Sequence, residues 1–535
     1  MITLPNAQKR GDRTVLRTEN IEYAVQRNRD ELFRFGTALI FIVGIMLFTI
    51  VRTDGGTDGI LMVAAAMIGG YMAMNIGAND VANNVGPAVG SQAITLTGAI
   101  LIAAFFEAGG ALIAGGDVVG TIKSGIIDPD LVADRDTFIW LMIAALLAAA
   151  VWLNFATVVG APVSTTHSIV GGVLGGGNAA TGWGIADWSV VGQIAASWVI
   201  SPLLGGLIAA GFLYIIKRTI TYKRDVLAAA NRMVPVLVAI MAWAFATYLM
   251  LKGVKKIVAV PFPVAILIGI AVAAAVYVIM RPHIKRKTAQ MENHKASIND
   301  LFTVPLICAA ALLSFAHGAN DVANAVGPLA GINEAISEGG ISAEAGIPIW
   351  VMAVGAIGIA LGLALYGPKL IRTVGSEITE LDKMRAFCIA MASAITVIIA
   401  SQLGLPVSST HIAVGGVFGV GFLREYIKSS YARMLHDIRS HHADTDPAAV
   451  EELLQEFEAA DVATKGELLR DMKAQTSADR VLGKQERRGL RRVHRVELVK
   501  RNLLLRIAAA WIITVPIAAT LAAMFFYMIR GMMLP

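Results

Sequence analysis

GANDVANNVGPAVG at residues 77–90 and GANDVANAVGPLAG at residues 318–331 decide how this chain is read. Eleven of their fourteen positions are identical. A second pair follows in the same order: PVSTTHSIVGG at Pro162–Gly172 and PVSSTHIAVGG at Pro406–Gly416, with eight of eleven positions identical. The offsets within the two pairs, 241 and 244 residues, nearly coincide. Two motifs recurring at one spacing indicate internal duplication of a whole unit.

The rest of the chain says where that unit resides. Of 535 residues, 56% are hydrophobic and 16% charged. The mean hydropathy is +0.65. Soluble domains carry about 25% charged residues, so an ordinary soluble fold is excluded. The net charge of +6 does not indicate a nucleic-acid partner, because the basic residues fall in loops between apolar spans, a pattern that sets membrane orientation. Cys308 and Cys388 both sit in apolar stretches, so no disulfide framework is expected. The polar first thirty residues show no cleavable signal. Apolar runs of spanning length and three shorter ones, near 162–178, 386–402 and 407–423, predict an all-α polytopic membrane protein of about 12–13 segments, with broken or re-entrant helices at the Gly/Pro interruptions.

Loop charges give the direction. The tail 1–34 carries seven Lys/Arg, loops 217–233 and 281–299 five each, and 424–506 seventeen. Loop 331–348 has three Glu and no Lys/Arg, and loop 116–136 has five Asp against one Lys and one Arg. Alternating spans from a cytoplasmic N-terminus put every basic loop inside, both acidic loops outside and the C-terminus outside, in the cell's inner (plasma) membrane. The two GAND segments then enter from opposite sides, so the repeats are inverted. That is an architecture of secondary transporters, with the site at the midplane between repeats. The expected organisation is a tail plus extra span (1–58), a first inverted repeat (59–233), connecting spans (234–299) and a second repeat (300–423). A cytoplasmic helical basic insert (424–503) that lies against anionic headgroups and a last span (504–535) follow.

Asn79-Asp80-Val81-Ala82-Asn83-Asn84 places a carboxylate and three amides inside an apolar segment. A carboxylate at membrane depth costs a few kcal/mol or more and marks function by default. Gly77 and Gly86-Pro87 allow the helix to break and free backbone carbonyls. Carboxylate, amide and carbonyl oxygens are hard ligands suited to a small desolvated cation such as Na⁺. Asn320, Asp321 and Asn324 repeat the set, with Ala325 replacing the second Asn. Asn79, Asp80, Asn83, Asn320, Asp321 and Asn324 are therefore cation-site candidates, with Na⁺ at Asp80 and Asp321. Glu107, mid-span in AAFFEAGGALIAGG, is a further cation or proton site.

Ser164, Thr165 and Thr166, and again Ser408, Ser409 and Thr410, follow a Pro-Val that starts a helix. A buried helix N-terminus with added hydroxyl donors cradles a tetrahedral oxyanion. No Arg or Lys lies in either motif, which keeps the binding reversible. His167 and His411 could donate to the anion, carry a proton or join helices. Gln92 could add a polar contact after the first GAND motif. His317, whose counterpart is Ile76, reads as structural, and Lys123 and Arg372 read as snorkelling at the membrane border.

At these residues the chain resembles a known family. GANDVANNVGPAVGS, HGANDVANAVGPLAG and the two PVS(S/T)TH segments are similar to the inorganic phosphate transporter family, which includes sodium-dependent phosphate transporters of animals. The resemblance covers roughly residues 59–425 plus the last span. It implies a homodimeric inverted-repeat symporter importing inorganic phosphate with Na⁺ or H⁺, no further cofactor, cation ligands in the GAND segments and phosphate on the hydroxyl segments. Glu107 matches a family glutamate, but the second glutamate of animal members is replaced here by Ala390. A permease for sulfate or another tetrahedral oxyanion would share these features, and an anion channel is the remote alternative. Two symmetric Ser/Thr–His copies do not suit an enzyme, which needs one oriented nucleophile–base pair.

Overall fold

The computed structural model describes residues 31–159, 163–254, 260–339, 347–377, 381–441 and 501–533, with isolated positions besides. Apart from one isolated bridge between Ile127 and Ala186, the described residues carry only helices, turns and loops. Eleven helices among them are long and apolar enough to cross a membrane. The apolar runs expected at 162–178 and 407–423 are also helical but fall outside that set. Thr165–Thr181 has 17 residues, short of the roughly 20 a span needs, and Ser409–His441 becomes polar after its first half. The N-terminal tail and most of the insert lie outside the described residues.

The helices preceding the central connection are α1 (Glu31–Arg52), α2 (Thr57–Asn79), α3 (Val81–Gly90), α4 (Leu96–Ala114), α5 (Arg135–Val159), α6 (Thr165–Thr181) and α7 (Trp188–Ile216). Then come α8 (Val226–Tyr248) and α9 (Phe262–Thr288). The second half contains α10 (Thr303–Asp321), α11 (Ala323–Glu338), α12 (Ile349–Glu377), α13 (Lys383–Gln402), α14 (Ser409–His441) and α15 (Arg501–Met533). From α2 and from α10 onward, each half thus runs through six helices in the same order.

The halves are interleaved. α2 packs on α12 and α10 packs on α4, so the first helix of each half crosses the third helix of the other. α6 lies on α15 and α14 on α7; α5 meets α15 and α13 meets α7. The GAND glycines permit the first of these crossings. A Cβ at Gly77 would lie 1.9 Å from the Ile359 carbonyl oxygen of α12, and one at Gly318 would lie 2.1 Å from the Glu107 carbonyl oxygen of α4. Only glycine lets two helix backbones approach so closely.

α8 and α9 pair with each other, and Phe245 and Tyr248 of α8 meet Phe315 of α10 edge-on. α1 leans on α2 and α12, where Ile45 and Phe41 approach Gly70, and Phe48 approaches Trp350. Only 11% of the apolar window of α1 and of α9 is buried. Such apolar helices are stable only with lipid on their outer faces.

Candidate functional site

The GAND segment does not break at its Gly-Pro. α2 passes into α3 through one residue, Asp80, whose backbone stays helical at φ −87° and ψ −35°. Its N–H bonds to Ile76 O at 2.9 Å, while Asn83 N bonds to Asp80 O at 3.0 Å, a local tightening. α10 passes into α11 through Val322 in the same manner. Gly77 serves helix crossing, and Pro87 and Pro328 lie inside α3 and α11. Each proline still lacks the N–H that would bond the carbonyl four residues earlier. The carbonyls of Asn83 and Asn324 therefore lack their usual i+4 donor within otherwise continuous helices.

The hydroxyl motifs do start helices. Ser164 caps α6, its Oγ accepting from His167 N at 3.2 Å. Ser408 does the same at α14, accepting from His411 N at 3.3 Å. These two hydroxyls thus serve as N-caps, while the next two residues of each motif point into the protein. The N-termini of α6 and α14 converge: Thr166 Oγ1 donates to Val407 O at 2.9 Å. Both bring the positive end of a helix dipole to one buried spot.

That spot is where the GAND residues are. Thr165 Oγ1 donates to Asp80 Oδ2 at 2.5 Å, and Thr410 Oγ1, from the other half, donates to Asp80 Oδ1 at 3.1 Å. Ser409 Oγ donates to Asp321 Oδ2 at 3.0 Å. The amides cross over as well: Asn83 Nδ2 donates to Thr410 at 2.9 Å, and Asn324 Nδ2 donates to Thr165 and Thr166 at 3.2 and 3.3 Å. All of these side chains are buried.

A second chain of contacts runs into the cluster. Asn84 Nδ2 donates to Glu107 Oε1 at 2.7 Å. Glu107 Oε2 lies 2.6 Å from His317 Nδ1, and His317 Nε2 lies 2.9 Å from Asp321 Oδ2. Ligand atoms of Asp80, His317 and Asp321 all fall within 4.8 Å of one another. Three carboxyls and one imidazole are thus enclosed together. With the carboxyls ionised, even a protonated His317 leaves the cluster two positive charges short, and an uncompensated buried charge is strongly unfavourable. Among the described residues, Asn84 Oδ1, Asp321 Oδ1 and Asn324 Oδ1 are buried acceptors without a hydrogen-bond donor. This is a set of hard oxygens that cations or protons would satisfy.

The remaining candidates are distributed differently. Asn320 ties down the non-helical approach to α14, donating to Ser401 Oγ at 3.1 Å and Leu405 O at 3.2 Å and accepting from Val407 N. Asn79 Nδ2 reaches Thr157 Oγ1 on α5 at 3.5 Å. Gln92 is exposed in the turn after α3, with φ 59°, and does not join the cluster. His167 and His411 face each other at 4.5 Å between ring centres, flanked by Trp198 at 3.6 Å and Trp511 at 3.5 Å. This four-ring stack spans the halves beside the site. Lys123 does not snorkel: it is buried and paired with Glu334 of α11 at 2.8 Å. The side chain of Arg372 lies outside the described residues.

Two residues outside the sequence-based site candidates enter the cluster: His317, which read as structural, and Asn84, quoted in the first GAND motif but not counted as a ligand. The spacing His317-x-x-x-Asp321 was the available signal, since residues four apart share a helix face.

A model of the phosphate transporter family matches residues 76–522. The chain belongs to the phosphate transporter family. It is therefore a transporter, not an enzyme. Among curated relatives, a protein of Helicobacter pylori strain J99 named as a phosphate permease is 50% identical over 517 residues, covering 95% of this chain and 97% of the relative. Another so named, from Chlamydia muridarum, is 39% identical, covering 71% and 93%. A solved structure titled "The sodium-dependent phosphate transporter" is 30% identical with a TM-score of 0.72, covering 89% of this chain and all of that one.

Proposed function

We propose that the chain is a secondary symporter that imports inorganic phosphate, driven by an inward Na⁺ or H⁺ gradient. The observation that carries this reading is the crossed cluster, in which Asp80 accepts hydroxyls from both halves. Cation ligands and anion donors are therefore the same hydrogen-bonded unit. A cation drawn to Asp80 and Asp321 withdraws those carboxylates from Thr165, Thr410 and Ser409. The released hydroxyls, with the N-termini of α6 and α14, then face an oxyanion. Cation binding thereby prepares the phosphate site, which is the differential affinity that coupling requires. Asn84, Asn324 and the carbonyls of Asn83 and Asn324 supply further oxygens to the cation.

The reciprocal contacts between halves support two repeats related by a two-fold, with α15 completing the second. Loop charges support their inversion, a cytoplasmic N-terminus and an external C-terminus. Rocking of the interleaved halves would present the site to each side in turn. A homodimer in the membrane is part of this reading.

The test is uptake of labelled phosphate by proteoliposomes holding the purified chain, with sulfate and arsenate as competitors. Saturable uptake, competed by arsenate and not by sulfate, is expected. Competition by sulfate equal to that by phosphate would move the assignment to a general oxyanion permease.

A further inference from the structure

A cavity of about 830 Å³ opens between α1, α2, α5 and α12. Its lining mixes apolar side chains with polar ones: Arg34 of α1, Tyr71 and Asn75 of α2, Asn154 and Thr157 of α5, and Tyr366 of α12. A space of this size takes up water where polar side chains such as Asn75, Asn154 and Thr157 line it. Its inner end stops beside the candidate site, two residues short of Asp80 along α2. Ala78 lines it, and Thr157 Oγ1, also in the lining, lies 3.5 Å from Asn79 Nδ2. Asn75 and Asn79 stand one turn apart on the same face of α2. Its outer end lies at the start of α1, where Glu31 and Arg34 join the lining.

We infer that this cavity is the aqueous route between the Asp80 cluster and the membrane face at which α1 begins, and that α1 is its outer wall. The inference rests on the transport reading for the identity of the ions, a small cation and a tetrahedral oxyanion. Hydroxyls and amides along the wall solvate either one, and the Arg34 guanidinium at the mouth suits the oxyanion. α1 precedes residue 76, where the family match begins, and leans on the core through few side chains. It lines the cavity with Glu31 and Arg34 at its start and with Phe35, Ala38, Leu39 and Ile42 further along. Enclosing a polar route gives Arg34 a role in an otherwise lipid-exposed helix.

Two measurements test this. In proteoliposomes, Asn75→Cys and Thr157→Cys are treated with a membrane-impermeant thiosulfonate from one side at a time. Arg29→Cys marks the side where α1 begins, and the unsubstituted chain gives the background from Cys308 and Cys388. Both cavity cysteines are expected to react from the side that labels Arg29→Cys. Reaction from neither side, or only from the opposite side, overturns the route. Separately, Ala38→Trp fills the cavity from the α1 wall and is expected to cut phosphate uptake by about tenfold or more at unchanged membrane level. Ile40→Trp, on the 73% exposed face of α1, leaves uptake unchanged. Equal uptake by the two variants overturns the role of α1. Labelling needs no transport, so a chain that labels as expected yet moves no phosphate refutes the transport reading and leaves the water-filled route supported.

Discussion

Replacing Asp80 by Asn keeps the shape of the side chain and removes its charge. The amide oxygen still accepts one hydroxyl, so Thr165 and Thr410, at 2.5 and 3.1 Å from the carboxylate, lose one acceptor between them. The larger loss is electrostatic. The ligand atoms of Asp80, His317 and Asp321 lie within 4.8 Å of one another, so a cation held among them sits close to each. At a separation of about 4 Å and an effective dielectric constant near 20, one unit charge pair is worth about 4 kcal/mol. That corresponds to about a thousandfold in cation affinity. Stability moves the other way, because the cluster is short of positive charge and Asp80→Asn removes one uncompensated carboxylate. The assay is phosphate uptake by proteoliposomes as a function of external cation, with the unfolding temperature measured on the same preparation. The expected result is a cation requirement raised by about three orders of magnitude with no loss of thermal stability. Cation dependence equal to that of the parent chain would refute the coupling role of Asp80.

Two further sets of substitutions separate scaffold from site. Lys123→Met or Glu334→Gln alone breaks a buried ion pair and is expected to destabilise by about 3–5 kcal/mol, whereas Lys123→Met with Glu334→Leu recovers most of that; equal unfolding temperatures for single and double variants would contradict the pairing. Ser164→Ala removes an N-cap and is expected to cost about 1 kcal/mol of stability with uptake largely retained, while Thr165→Ala, which touches Asp80, lowers uptake more than stability; the reverse ordering in paired uptake and unfolding measurements would contradict the division of roles.

Much of this was legible in the sequence because lipid makes polar residues informative. Every apolar run lies on a helix, and the duplicated GAND and hydroxyl segments meet in one buried cluster, since few other places in such a chain tolerate a carboxylate. What could not be read was the crossing. Thr410 and Asp80 are 330 residues apart, and only the interleaving of α2 with α12 and of α10 with α4 joins them. The same crossing turned Gly77 from an expected break point into a backbone contact, which Gly318 matches in the other half. It also placed His317 between Glu107 and Asp321, a role that its counterpart Ile76 concealed. Lys123 misled for a related reason: its partner Glu334 lies in the other half, in a loop that looked merely acidic.

Phosphate is proposed to move with a cation through this cluster. That coupling is tested most directly by labelled phosphate uptake into proteoliposomes under an imposed Na⁺ gradient, under an imposed pH gradient, and under neither. Accumulation above equilibrium is expected under one of the two gradients, abolished by Asp80→Asn and by Asp321→Asn. Uptake that only equilibrates, at the same rate with or without either gradient, would contradict it.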